Sequence, residues 1–192
     1  MRAMSPTTDR LPFTGDDEAD RLLVAQPLAL LIGFALDQQV TVQKAFSGPA
    51  EIARRLGHLD AARIAAMDPS ALEAVFRERP AIHRFPGAMA GKVQALCAAI
   101  AAEHGNDASR VWGDAADGED LRHRLLALPG IGEMKAAALI AVLGRRLGLT
   151  LPGLDAVMPG HPTLGDVDSP EALAAYQAGK RAMKAEARAA KG

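Results

Sequence analysis

Cysteine is nearly missing from this sequence: Cys97 is the only one in 192 residues. No intrachain disulfide framework is possible, and an iron–sulfur cluster held by four cysteines is excluded. Cys97 lies among Val93, Leu96, Ala98 and Ile100, which marks it as a small core residue and not a nucleophile. Aromatic residues make up only 4% of the chain, and the single Trp112 reads as a core anchor. Long hydrophobic runs are missing too. Pro27 to Leu36 is too short to span a bilayer, and the N-terminus lacks a basic region followed by an apolar one and a cleavage site, so a cytoplasmic protein with no membrane partner is expected. There is no excess of positive charge: 22 Lys and Arg face 23 Asp and Glu, a net charge of −1. Taken alone, that balance argues against nucleic acid, because phosphate contacts need a local surplus of Lys and Arg.

What is present describes an ordinary globular domain. With 49% hydrophobic and 23% charged residues, the 192-residue chain is enough for one domain over residues 1–192, or for two lobes sharing a core; helical patterns appear throughout and no convincing strand does, so an all-α fold is expected. Residues 1–14 are mostly polar, hold two prolines and show no period, so they read as a loose tail. Gly15 precedes Asp16-Asp17-Glu18, which suits a helix start, and Pro27 opens a long apolar helix to about Leu36. Gly48-Pro49 reads as a break, followed by short helices from Pro49, from Asp60 and from Pro69 that form scaffold. Ala81 to Gly87 is a turn entering a helix that ends at Gly105, with His83 facing DNA or, as is commoner for a histidine, at the surface or capped. A loop rich in Pro, Gly and Asp spans Pro159 to Pro170, and a last helix runs to about Ala189. Charge is unevenly spread. From Leu121 onward ten Lys and Arg stand against six Asp and Glu, while the first 120 residues carry twelve against seventeen. Lys180, Arg181, Lys184, Arg188 and Lys191 close the positive half, as a DNA-facing run or as a solvated helix end.

Two helical patterns flank Leu128-Pro129-Gly130-Ile131-Gly132-Glu133-Met134-Lys135. Leu121, Leu125 and Leu128 recur at helical spacing before it, and Leu139, Ile140, Leu143 and Leu147 form a stripe after it. Pro129 stops the first helix, and Gly130 and Gly132 allow positive φ and close backbone approach. The amides that open the second helix have no intrahelical partner and sit at the positive end of its dipole, a natural site for phosphate.

Leu-Pro-Gly-Ile-Gly resembles the hairpin of the helix-hairpin-helix DNA glycosylases, the HhH-GPD superfamily. A second stretch, Pro27 to Ala45 with Asp37-Gln38-Gln39 inside it, is similar to the family helix that ends in a glutamine-containing turn beside DNA, and the order and spacing of the two agree. The resemblance runs from about Ala25 to Asp155 and implies a two-lobed HhH-GPD fold with its hairpin motif at 121–147. It further implies a DNA glycosylase of base excision repair acting on double-stranded DNA with base lesions. Gln39 would fill the gap left by an extruded nucleotide, Asp37 and Gln38 would approach the flipped base, and the amides of Gly130 and Gly132 would meet phosphate. Lys135 would join the DNA contacts and Met134 the base pocket.

In family members that form a Schiff base, the lysine stands two residues after the second hairpin glycine, where this chain has Met134. Lys135 is one residue late, turned by about 100° on a helix, so a monofunctional enzyme using water is expected. Glu133 would repel a nearby phosphate. Hydrolysis of an N-glycosidic bond builds positive charge on the sugar, which a carboxylate can stabilise. By resemblance this carboxylate follows a Gly/Pro-rich loop, and Asp155 after Pro152-Gly153 is the nearest, with Asp166 and Asp168 as alternatives. No cofactor is expected beyond a monovalent cation at the hairpin carbonyls, which the resemblance implies. A non-catalytic module that recognises lesions is the alternative function, and a lyase using Lys135 is a third.

Overall fold

A computed structural model describes residue 4 and residues 6–190. Among the described residues the chain is helical throughout and forms no strand: α1 (Asp17–Ala25), α2 (Pro27–Leu36), α3 (Val42–Leu56), α4 (Ala61–Ala65), α5 (Pro69–Arg77), α6 (Pro86–Glu103), α7 (Arg110–Gly113), α8 (Gly118–Leu126), α9 (Glu133–Ala141), α10 (Leu154–Val157) and α11 (Pro170–Ala189). Among these residues no single helix is long and apolar enough to cross a membrane.

Helix α2 is the axis of the first group of helices. It starts at Pro27, whose fixed φ and missing N–H suit the first helical position, and every residue from Leu28 to Leu36 is buried. A helix apolar on all sides must be covered on all sides, and α1, α3 and α6 pack against α2. Helices α4 and α5 lie in turn on α6. The second group is formed by α8, α9 and α10, with a π-helical turn (Val142–Arg146) continuing α9. One continuous core runs through both groups, from Leu11 to Leu173. Trp112 and Cys97 are buried in it, and burial pushes the Cys97 thiol up to about 12.

Three expectations need correction. The loose tail is anchored: Leu11 and Phe13 are fully buried, and Phe13 packs edge-on against Phe46. The buried Asp20 carboxylate accepts from the N–H groups of Phe13 and Thr14 and from the Thr14 hydroxyl. Of that expected tail, residues 1–3 and 5 lie outside the described residues, as does Lys191 of the basic run. The break at Gly48-Pro49 is no break, since α3 runs through it. Gly48 is there for space: a Cβ on it would lie 2.4 Å from Leu36 Cδ1 of α2. His83 is buried, with 1% of its surface exposed.

Candidate active site

The glutamine turn and the hairpin, distant in sequence, meet in space. Asp37 caps the C-terminus of α2, and the turn after it is held from behind by His83. Nε2 of His83 lies 3.1 Å from the Leu36 carbonyl and 3.0 Å from that of Gln38, while Nδ1 accepts from the Phe85 N–H at 3.0 Å. Only the tautomer with the proton on Nε2 satisfies all three contacts. Burial lowers the imidazole's pKa and keeps it neutral. Gln39 takes φ +56° and is exposed at the tip of the turn.

The hairpin closes with Ile131 N–H donating to the Leu128 carbonyl at 3.2 Å, and α9 begins with Ala136 N–H donating to Gly132 at 2.9 Å. Gly130 has φ +86°, a left-handed conformation that favours glycine. A Cβ there would sit 2.9 Å from Lys92 Cδ and 3.4 Å from Ala35 Cβ, so the hairpin rests directly on α2. Gly132 is extended, and a Cβ on it would meet nothing within 4 Å. Nothing inside the fold demands a glycine at 132. No side chain caps α9, so its first amides are not taken up by one.

Lys92 of α6 joins the two motifs, its ammonium donating to Gln38 Oε1 at 2.8 Å. Gln38, Lys92, Gly130, Gly132, Met134 and Lys135 line a shallow hollow of about 530 Å³ along the hairpin. Met134 and Lys135 also line a deeper cleft of about 430 Å³, whose other walls include Phe34 and Asp37 of α2, the loop at His161 and Tyr176 and Lys180 of α11. The two residues thus form a shared rim between hollow and cleft. Met134 projects from it, 72% exposed.

Lys135 faces inward instead. Its ammonium lies 3.3 Å from the carbonyls of both Ala35 and Gly130, so it fastens hairpin to helix and does not project as a surface contact for DNA. Burial lowers its pKa, and Asp37 opposes the shift. Asp37 is partly buried, and burial raises its carboxyl above the usual carboxylate range while Lys180 and Lys135 pull it back. Glu133 does not stand as a free negative charge at the hairpin: Arg122 of α8 binds both its carboxylate oxygens, at 3.0 and 2.9 Å.

Asp155 is not brought to this cleft. It is exposed on α10 and lines a separate hollow of about 510 Å³ with Arg145 and Leu149. Asp166 is engaged elsewhere, pairing with Arg145 at 2.5 Å and closing a capping box with Thr163. Asp168 is exposed in the loop before α11. The short helix α10 packs on α8 and sets Asp155 in a hollow with Arg145, which a count of residues from Met134 could not reveal.

Lys92, Tyr176 and the placement of Lys180 at the cleft belong to no motif in the sequence, and His83 reads there as a surface or capped residue and not as the buried brace it is. Signals are present: His83 and Phe85 stand just ahead of the proline that opens α6, and Lys180 and Lys184 sit four apart on one helix face. In α11, Gln177 and Gln43 of α3 exchange amide hydrogen bonds at 2.8 and 3.3 Å and dock the helix beside the cleft. No group of three or more His, Cys, Asp or Glu among the described residues could hold a metal ion. The Gly130 carbonyl accepts from Lys135, so at that oxygen the chain supplies its own cation. Compared with known proteins, the chain matches no family profile and no curated sequence.

Proposed function

We propose that this chain is a DNA glycosylase of the helix-hairpin-helix, HhH-GPD type, hydrolysing the N-glycosidic bond of a damaged or mispaired base without lyase action. The observation that carries the reading is the shared rim: Met134 and Lys135 border both the hairpin hollow and the deep cleft. A duplex laid with a phosphate on the hairpin amides would have a nucleotide-sized cleft within one side chain's reach. Such an arrangement answers a physical need, since the scissile bond is out of reach in the base stack and the target must be turned out of it.

Each part then has a task. Uncapped amides at the head of α9 and the bare backbone at Gly132 receive phosphate. Gln39, presented at the tip of a turn braced by His83 and Lys92, enters the vacated stack, while Gln38, held by Lys92, borders the opening. Lys180 and Lys184 line the cleft and supply the local positive charge that a net charge of −1 hides. Lys135, held between two carbonyls, serves as a strut and not as a Schiff-base nucleophile. No step is routed through a monovalent cation.

The test is base release from duplexes carrying uracil, hypoxanthine, alkylated purines or oxidised bases, each with and without alkali. Strand breaks confined to alkali-treated samples are expected for at least one lesion. Breaks without alkali would make Lys135 a lyase nucleophile, and tight binding without any release would leave a lesion-recognition module.

A further inference from the structure

We infer that Asp37, and not an aspartate after the hairpin, is the carboxylate that meets the sugar and its attacking water in the cleft. The inference rests on the glycosylase reading and gives that site its reacting group. Among the described residues lining the cleft, Asp37 is the only carboxylate. The charged or titratable groups that share the cleft with it are Lys135 of α9, His161 of the loop, and Tyr176, Lys180 and Lys184 of α11. Its own oxygens accept no hydrogen bond from the described part of the chain, whereas the buried Asp20 takes three. A partly buried acid left without protein donors is free for a ligand or for water.

Its position is fixed from both sides. The Asp37 N–H donates to the Phe34 carbonyl at 3.2 Å, and His83 Nε2 contacts the carbonyls of the residues before and after it. The backbone that carries the carboxylate is therefore held in place beside the cleft. His83 is accordingly a positioning residue.

The chemistry balances with water alone. The bond between C1′ and the base nitrogen breaks with its electron pair going to the base, which takes a proton from solvent. Positive charge on the sugar is stabilised by the Asp37 carboxylate. Water then bonds to C1′ while giving one proton to Asp37, which releases it to solvent. The products are the free base and an abasic sugar with a 1′ hydroxyl. Burial makes the Asp37 carboxylate more basic than an exposed one, which strengthens it as proton acceptor.

The experiment is single-turnover base release by the full chain and by Asp37→Asn, on the lesion duplex the wild type cleaves fastest. A loss of about 100-fold or more is expected, with duplex affinity changed less than threefold and an unchanged melting temperature. Asp37→Asn releasing base within threefold of wild type would overturn the assignment, and so would a loss matched by an equal loss of binding. Should Asp37→Asn not fold, the pH profile decides. Wild type is expected to lose rate toward acid pH, and Lys180→Ala, which removes a cation facing the carboxyl, should move that limb upward. A limb that stays in place would overturn the role. A wild type releasing no base from any duplex would instead overturn the glycosylase reading beneath it.

Discussion

Gln39 carries a strain that the fold does not need. A non-glycine residue at φ +56° gives up roughly 1 kcal/mol against a relaxed conformation, and its side chain is exposed, so packing does not repay the cost. The proposed wedge role would account for it: an amide at the tip of a rigid turn can enter a base stack. Gln39→Ala is expected to slow base release from a paired lesion by about tenfold or more and to affect a single-stranded lesion much less, because unstacking costs a few kcal/mol only where there is a stack. Equal losses on both substrates, measured in single-turnover assays, would remove the wedge role. The sequence made Gln39 visible because three polar residues interrupt an apolar helix at its end. The hollow in which Asp155 lies is invisible in the sequence for the opposite reason: spacing along the chain says nothing about which way a four-residue helix leans. Lys135 reads from sequence as a DNA contact, yet the same one-step rotation that separates it from Met134 turns its ammonium onto the Ala35 and Gly130 carbonyls.

At the scale of elements, α2 and the hairpin were legible nearly to the residue. Pro27 opens α2 and apolar residues continue unbroken to Leu36, while Leu128, Pro129 and the two glycines bracket a turn that nothing else in the chain imitates. Gly48-Pro49 misled because a glycine that makes room for Leu36 is indistinguishable, in sequence, from one that ends a helix. The tail misled because Leu11 and Phe13 are single anchors in irregular backbone, which no periodicity can register. Helix α9 is shorter than its apolar stripe suggests, since the backbone widens into a π turn at Val142. The hairpin itself bears on α2 through Gly130. Gly130→Ala places a Cβ against Lys92 and Ala35 at positive φ, and it is expected to cost about 1–2 kcal/mol of stability. Because Lys92 must move to admit it, the contact with Gln38 should loosen as well. Thermal melting and duplex affinity would both fall; a variant that melts and binds like wild type would separate the hairpin from the turn.

For the molecule as a whole, the two helical groups matter because their junction sets one carboxylate, three lysines and a bare helix start around a cleft beside a flat hollow. The sequence predicts the all-α class and the meeting of the two motifs, but α11 lining the cleft with Lys180 and Tyr176 depends on a docking through Gln43 and Gln177 that local pattern does not encode. In the proposed reaction the target nucleotide enters the cleft between Asp37 and Met134. Most direct is a crystal structure of the full chain on a duplex carrying a pyrrolidine abasic analogue, whose ring nitrogen is cationic like the sugar in the transition state. The ring is expected beside the Asp37 carboxylate, with Gln39 in the vacated stack and a phosphate on the amides that open α9. A ring beside Asp155, or a duplex bound with its bases still stacked, would contradict it.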